Sequence, residues 1–354
     1  MLLLDKAEFP RDKICGDGIG GSTIRLLSEL GLSLQTKAQN LHACDRVRGI
    51  SPAGHTYEGA FPRKQGRSRH GYVIRRRCFD HILWEYALGQ GAHFERFRAT
   101  QPIVEGGAVC GVRGSIGGKT AERRARITIV ADGANSVIAR ALQSNRPSAS
   151  HFAIALRAYF EGVETPGRCV DFYFNQTQLP GYGWIFPLGG GRANVGVGLR
   201  LDVARSNGIS LRQAFESFIR DPRVASTLSR AEEPERARGG FLPLASAKVQ
   251  RTYPGALIVG DAGAFVSPLT GGGIYNALES GRIAATVALD ALQGDGGTYN
   301  ELREFDLRCH AAIGKRLGRE AVAQRMLSWP GVLDLVIGGM QRREGFARFV
   351  LNRF

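Results

Sequence analysis

Cysteine is sparse in this chain and never clustered. Its six cysteines, Cys15, Cys44, Cys78, Cys110, Cys169 and Cys309, lie far apart, with no CxxC pair. A chain of 354 residues does not need covalent staples, and no secretory pattern opens it, so reduced thiols in a cytoplasmic protein are expected. No uninterrupted apolar run approaches the length of a membrane span. This excludes a helical span and leaves open a peripheral contact with the inner face of a membrane. No zinc-finger, basic-zipper or RNA-recognition signature is present, so neither a metal site nor nucleic acid is expected. Acidic side chains are also short, 32 against 47 basic, for a net charge of +15. The dense basic groups are Arg63–Arg69, Arg75-Arg76-Arg77 and Arg123–Arg126. Such an excess suits solubility, an anionic cofactor or an anionic membrane surface.

Glycine, by contrast, is abundant: 47 residues, set in turns between apolar runs rather than in repeats. That pattern suits an α/β protein with many close backbone approaches. Met1–Leu4 reads as a strand ending in Asp5. Ser22–Leu32 reads as an amphipathic helix with Ile24, Leu27 and Leu30 on one face and Gly31 as its stop. Irregular strands are expected between 45 and 74, and a helix over Phe79–Gly91. From 151 to 200 alternating strands follow, His151–Gly162, Cys169–Asn175, Trp184–Leu188 and Ala193–Leu199, the last two joined at Gly189-Gly190-Gly191 as a hairpin. Ser210 and Gln213 form a capping box opening a helix. Ile274–Leu292 is a long apolar helix, and 300–354 a basic, mostly helical tail.

The chemistry concentrates in Leu257-Ile258-Val259-Gly260-Asp261 through Gly271-Gly272-Gly273-Ile274. A buried strand delivers Asp261 to its carboxyl end, where ligands sit in open α/β sheets. A carboxylate there can accept hydrogen bonds from sugar-alcohol hydroxyls. Three glycines permit close backbone approach, and the following helix start points free N–H groups at negative charge. A plain strand–turn–helix with a capping Asp would be shorter and less ordered.

This segment resembles the second FAD-binding motif of the p-hydroxybenzoate hydroxylase-like flavoproteins, a superfamily that includes the geranylgeranyl reductases. The resemblance implies that Asp261 binds the ribityl chain and that Gly273 and Ile274 face the flavin ring. Val130-Ala131-Asp132-Gly133 resembles the central "DG" motif, which places Asp132 near the cofactor. Phe9–Gly18 resembles the "FPRDKxCGDG" loop of the geranylgeranyl reductase branch, where Cys15, Gly16 and Gly18 correspond to flavin-lining positions. Arg76–Asp80 resembles its "RxxFD" element, with Arg76 on the cofactor, and Thr100 occupies a position that contacts the nucleotide end. Pro180–Gly189 with Asn194–Gly198 resembles the "YxWxFP" and "NVGVG" pair. Alternation puts Tyr182, Trp184 and Phe186 on one strand face, which is either core or the lining of an apolar substrate cavity. The family favours Tyr182 and Trp184 as substrate-lining residues.

A full family member also carries a strand and GxGxxG turn ahead of the acidic residue that corresponds to Asp5, which binds the adenosine ribose. That unit is not in this sequence, and the literal Gly16, Gly18, Gly21 spacing is a decoy because it follows a polar loop rather than a buried strand. An internal start is favoured over a true truncation, since the other motifs are intact. Weak FAD binding and a destabilised sheet are expected of the chain as written.

The resulting expectation is an α/β fold. A discontinuous Rossmann-like FAD-binding domain spans 1–45, 75–142 and 250–300. An inserted antiparallel sheet for substrate spans 46–74 and 143–249, and a helical region spans 301–354. The function implied is an FAD-dependent oxidoreductase that reduces C=C bonds of an isoprenoid, geranylgeranyl-type lipid, with NAD(P)H or ferredoxin as electron donor. Cys15 is the first residue to test for a catalytic role. An aromatic-ring monooxygenase and a non-catalytic lipid-binding remnant are the competing readings. The CGDG loop with the YxWxFP strand favours the reductase.

Overall fold

The structure, a computed structural model, describes all residues except 39, 62–69, 144–146, 165–166, 234, 295 and 352–354. The basic group Arg63–Arg69 therefore lies wholly outside the described residues. The chain divides into two compact units. Unit 1 comprises Met1–Arg11, Leu83–His151 and Phe241–Val322; unit 2 comprises Asp12–Ile82, Phe152–Gly240 and Ala323–Phe354.

Unit 1 carries the parallel strand pairs of an α/β fold. Leu2–Asp5 runs parallel to His93–Arg96, and Thr128–Val130 runs parallel to Ala256–Ile258. A three-stranded antiparallel meander, Arg98–Glu105, Ala108–Ile116 and Lys119–Arg124, lies between them in sequence. The strand Ala256–Ile258 is wholly apolar and buried, as a strand covered on both faces must be. It packs under the 19-residue helix Ile274–Leu292, whose Ile283, Ala284, Val287 and Ala291 form one core with Leu257, Phe305, Ile313 and Leu317.

Unit 2 is built on a seven-stranded sheet. Its order is Arg238–Pro243, Phe152–Glu161, Arg192–Arg200, Tyr182–Gly189, Cys169–Tyr173, Arg46–Ile50 and Thr56–Ala60. Phe152–Glu161 pairs antiparallel with Arg192–Arg200, Arg192–Arg200 with Tyr182–Gly189, Tyr182–Gly189 with Cys169–Tyr173, and Arg46–Ile50 with Thr56–Ala60, while Cys169–Tyr173 runs parallel to Arg46–Ile50. Tyr182–Gly189 and Arg192–Arg200 form the expected hairpin. Its turn needs three consecutive left-handed residues, at φ +79°, +60° and +69° for Gly189, Gly190 and Gly191, which only glycine adopts without strain. The core of unit 2 fills the space between this sheet and the helix Leu211–Arg220, through Ala158, Phe160, Ile185, Val195, Phe215 and Phe218. The capping box of Ser210 and Gln213 is formed on that helix.

One expectation is corrected. The first helix covers Gly21–Glu29 and buries Thr23, Leu26 and Leu27, while Leu30 is exposed. Gly31, at φ +84°, turns the chain so that the Leu32 N–H reaches the Leu27 carbonyl at 2.8 Å, and Leu32 takes the buried place instead. This is the glycine-terminated helix end in which the residue after the glycine folds back.

Candidate functional site

In unit 1 the sheet brings two of the marked carboxylates to neighbouring strand ends. Thr128–Val130 and Ala256–Ile258 are in register, and the Val259 N–H donates to the Val130 carbonyl at 3.0 Å. Asp132 and Asp261 thus follow the carboxyl ends of adjacent parallel strands, where open α/β sheets place ligands. Asp132 Oδ2 accepts the Val137 N–H at 3.1 Å and helps start the short helix Val137–Leu142, which Ser136 also caps. Asp261 lies against the glycine turn: a Cβ on Gly273 would stand 3.1 Å from Asp261 Oδ1. Gly271 has φ +64°, a conformation that favours glycine. Gly273 begins the helix Ile274–Leu292, which has no side-chain cap and no acidic residue in its first turn. Its N-terminal dipole therefore faces the turn uncompensated by side chains of that turn.

The other two marked residues of unit 1 are held locally. Asp5 accepts the Ala7 N–H at 2.9 Å and Arg11 Nε at 3.3 Å. Thr100 sits in a bulge between Ala99 and Gln101, with Oγ1 donating to the Arg113 carbonyl at 3.2 Å.

In unit 2 the structure gathers Cys15, Gly16, Gly18, Arg76, Tyr182 and Trp184. Tyr182, Trp184 and Phe186 share one face of their strand, with ring centroids 6.1 and 6.2 Å apart along it. Phe172 on the next strand contacts both Tyr182 and Phe186. The opposite face of the same strand is core, where Gly183 abuts Phe218 and Ile185 is fully buried. The loop Cys15–Gly18 crosses the aromatic face so closely that a Cβ on Gly16 would meet Phe186 and Trp184 at 3.3 Å. The Trp184 indole in turn lies across Gly196, where a Cβ would sit 2.2 Å from Cζ2.

Neither Gly16 nor Gly18 belongs to a phosphate-binding βαβ turn. Gly18–Ile19 is a two-residue strand antiparallel to Gly71–Val73. The literal GxGxxG is a decoy for that reason.

Four residues of this cluster were not legible as such in the sequence: Asp17, Arg157, Tyr159 and Asn194. Asp17 is fully buried, in a left-handed conformation at φ +65°. Its Oδ2 accepts the Tyr159 hydroxyl at 2.8 Å and Asn194 Nδ2 at 2.9 Å, and its Oδ1 accepts the Arg76 N–H at 3.3 Å. Burial raises the Asp17 carboxyl from its ordinary 3.8 to about 6, against the lowering effects of Asn194, Tyr159 and the Arg157 charge. Burial, then the Asp17 charge, likewise raise the Tyr159 phenol.

Asn194 also donates to the Cys15 carbonyl at 2.8 Å and accepts Trp184 Nε1 at 3.0 Å. The guanidinium groups of Arg75 and Arg157 lie 4.2 and 4.1 Å from the Tyr159 ring centroid. Arg157, 1% exposed, pairs with Asp12 at 2.5 Å. Arg76 makes a two-point pair with Asp80 at 2.6 and 2.9 Å. Burial opposes its charge, but the Cys15 and Asp80 side chains outweigh that and keep it protonated. The available signal was Arg157 and Tyr159 at alternate positions of a strand that is otherwise apolar through Phe160, together with a non-glycine between Gly16 and Gly18.

Known proteins resemble this chain in sequence and in fold. Residues 152–231, which carry Arg157, Tyr159, Tyr182, Trp184 and Asn194, match the family model of the geranylgeranyl reductase catalytic domain. A digeranylgeranylglycerophospholipid reductase of Methanopyrus kandleri is 34% identical over 316 residues, covering 87% of this chain and 78% of that protein. The chain belongs to the geranylgeranyl reductase family. A second such reductase, from Methanospirillum hungatei, is 34% identical over 285 residues, covering 78% of this chain and 67% of that one. A geranylgeranyl bacteriochlorophyll reductase-like protein of Thermoplasma acidophilum superposes with a TM-score of 0.83 at 25% identity, over 95% of this chain and 85% of that one. A flavin-dependent brominase superposes with a TM-score of 0.79 at 18% identity, over 99% of this chain and 86% of that one. This second likeness concerns the fold alone. The reductase family and these folds agree with the α/β architecture and the large inserted sheet expected above.

Proposed function

We propose that this protein is an FAD-dependent reductase that saturates C=C bonds in the isoprenoid chains of a lipid of the geranylgeranyl type. The observation that carries the reading is the 34% identity to a digeranylgeranylglycerophospholipid reductase across 87% of the chain. The catalytic-domain match supports it, because it falls on the strands bearing the aromatic face and the Asp17 partners.

The residues present fit a flavin. In unit 1 the carboxylate of Asp261 and an uncapped helix start meet at one glycine turn. A carboxylate suits ribityl hydroxyls, and a helix N-terminus suits the electron-rich edge of a flavin ring. When bound, FAD supplies the hydride for alkene reduction. We assign Asp5 to the adenosine ribose, Thr100 and Asp132 to the nucleotide side, and Asp261, Gly273 and Ile274 to the ribityl and ring end. Cys15, Gly16, Gly18 and Arg76 are assigned to the ring, with Cys15 as the residue beside the reacting atoms. Tyr182 and Trp184 are assigned to the isoprenoid. Their aromatic surface offers an apolar, water-excluding contact for an alkene chain.

Reducing equivalents are assigned to a nicotinamide cofactor or a ferredoxin. No helix among the described residues is long and apolar enough to cross a membrane. With a net charge of +15, we assign the protein to the cytoplasmic side, in peripheral contact with anionic lipid.

The test is reconstitution of the purified protein with FAD, chemical reduction, and incubation with a geranylgeranyl glycerophospholipid. The expected product gains two hydrogens per reduced double bond by mass spectrometry. Substrate-dependent oxygen uptake with a hydroxylated product would instead establish a monooxygenase. Lipid binding with no flavin uptake would establish a binding protein.

A further inference from the structure

The turn that carries the flavin motif is gripped from both sides by one distant helix, Lys315–Met326. On one side Ser267, 2% exposed, donates its hydroxyl to Glu320 Oε2 at 2.6 Å. Ser267 Oγ itself accepts the Thr270 N–H at 3.0 Å and the Thr270 hydroxyl at 2.9 Å. The Ser267 hydroxyl thus has its donor and both acceptor positions filled. Backbone bonds close the turn, with Ser267 N–H to the Gly272 carbonyl at 2.9 Å and Gly271 N–H to the Ser267 carbonyl at 3.0 Å.

On the other side Asn276, also 2% exposed, donates to the Phe265 carbonyl at 2.6 Å and accepts Arg316 Nη2 at 2.6 Å. Arg316 Nη1 then bonds Glu320 Oε1 at 2.5 Å and completes the ring of contacts. Every residue in it belongs to unit 1.

Docking of the helix does not require this pair, because Leu317, with Ile313 just ahead of the helix, already buries in the core beside Leu257 and Phe265. This ion pair, with Glu320 buried but the Arg316 side chain 38% exposed, adds little to stability against well-packed apolar residues. What it does add is direction: its remaining hydrogen bonds all end on the residues that bracket the glycines.

We propose that Arg316 and Glu320 are positioning residues that preset the Pro268–Gly273 turn and the start of the Ile274–Leu292 helix in their ligand-gripping form. The ligand class is a flavin ring, so the binding arm of the proposal rests on the reading above.

The test compares the wild type with the double variant Arg316→Met/Glu320→Gln, which removes the pair without leaving a buried charge alone. In the flavin-free protein, amide exchange at Thr270–Gly273 is expected to quicken about tenfold, with exchange at Ile283–Val287 unchanged. FAD affinity, read by flavin fluorescence quenching, is expected to weaken about tenfold. Unchanged exchange in the turn overturns the proposal. So does an even rise along the whole helix, which marks general support of the unit, or a looser turn with unchanged FAD affinity. A wild type that takes up no FAD sinks the flavin reading, while the exchange arm still decides the positioning role. If the double variant does not fold, Glu320→Gln alone, which keeps an oxygen for Ser267, carries the same comparison.

Discussion

Asn194 and Asp17 lie 177 positions apart in the chain and meet at 2.9 Å, Nδ2 to Oδ2, with no solvent access to either side chain. The same amide holds the Cys15 carbonyl and the Trp184 indole. One side chain therefore fixes the height of the Cys15–Gly18 loop over the aromatic face.

Replacing that amide should be costly. Asn194→Leu leaves a buried carboxyl short of a donor and a buried indole N–H without its acceptor. The expected loss is about 2–4 kcal/mol of stability. Urea unfolding measures it, and an Asn194→Leu protein as stable as wild type would refute the hub role.

Asp17 predicts a pH effect of definite sign. Its folded pKa of about 6 exceeds the ordinary 3.8, so the folded state retains a proton that the unfolded state releases. Its contribution favours folding most below the ordinary value, and is lost as pH rises through the window up to about 6. Asp17→Asn, which tolerates the left-handed backbone, should remove up to about 2–3 kcal/mol of this slope. Denaturation midpoints at several pH values in that window read the difference between the two proteins.

Arg157 and Asp12 should respond unequally. Arg157 Nε and Nη1 are buried with no hydrogen-bond partner among the described residues, whereas Asp12 is partly exposed. Arg157→Met removes an incompletely satisfied buried cation and leaves Asp12 near water and Arg238, so a change within about 1 kcal/mol is expected. Asp12→Ala strands the cation and should cost about 3 kcal/mol or more. Equal losses in thermal or urea unfolding would contradict this asymmetry.

Gly196 has no room for a methyl group. A Cβ there would lie 2.2 Å from Trp184 Cζ2 and 2.6 Å from the Leu156 carbonyl. Gly196→Ala must displace the indole or the strand, at about 1–3 kcal/mol or more. Blue-to-red movement of tryptophan emission and a lower melting temperature are the expected readouts.

At Gly273 the crowding is milder and falls on Asp261, the carboxylate proposed above for the ribityl chain. A Cβ at 3.1 Å from Asp261 Oδ1 pushes the carboxylate aside rather than the backbone. Gly273→Ala should weaken FAD uptake about tenfold with little change in folding stability, the size of one lost charge-assisted hydrogen bond. Flavin titration alongside a melting curve separates the two effects.

Much of this was legible in linear patterns. The three glycines after Leu188 marked the hairpin, Ser210 and Gln213 marked a helix start, and Tyr182, Trp184 and Phe186 marked a common strand face. Each rests on residues only a few positions apart, so local geometry decides it. The Phe9–Gly18 motif was read as one loop, but the chain passes from unit 1 to unit 2 within it, after Arg11. Residues 12–45, expected with the nucleotide-type domain, pack within unit 2. No local signal marks such a boundary, since it depends on what distant segments cover.

Taken alone, the amino-acid order determined the α/β class, the apolar strand leading to Asp261, the glycine turn beyond it and the resemblance to the reductase family. These follow from periodicity, turn chemistry and motif order along a short stretch of chain. Only the tertiary structure decided that Asp17 is buried and shared among Tyr159, Asn194 and Arg76, and that Glu320 and Arg316 reach back to Ser267 and Asn276. The reason is physical: a buried polar group must find partners wherever the fold brings them within about 3 Å, and sequence distance does not enter that requirement.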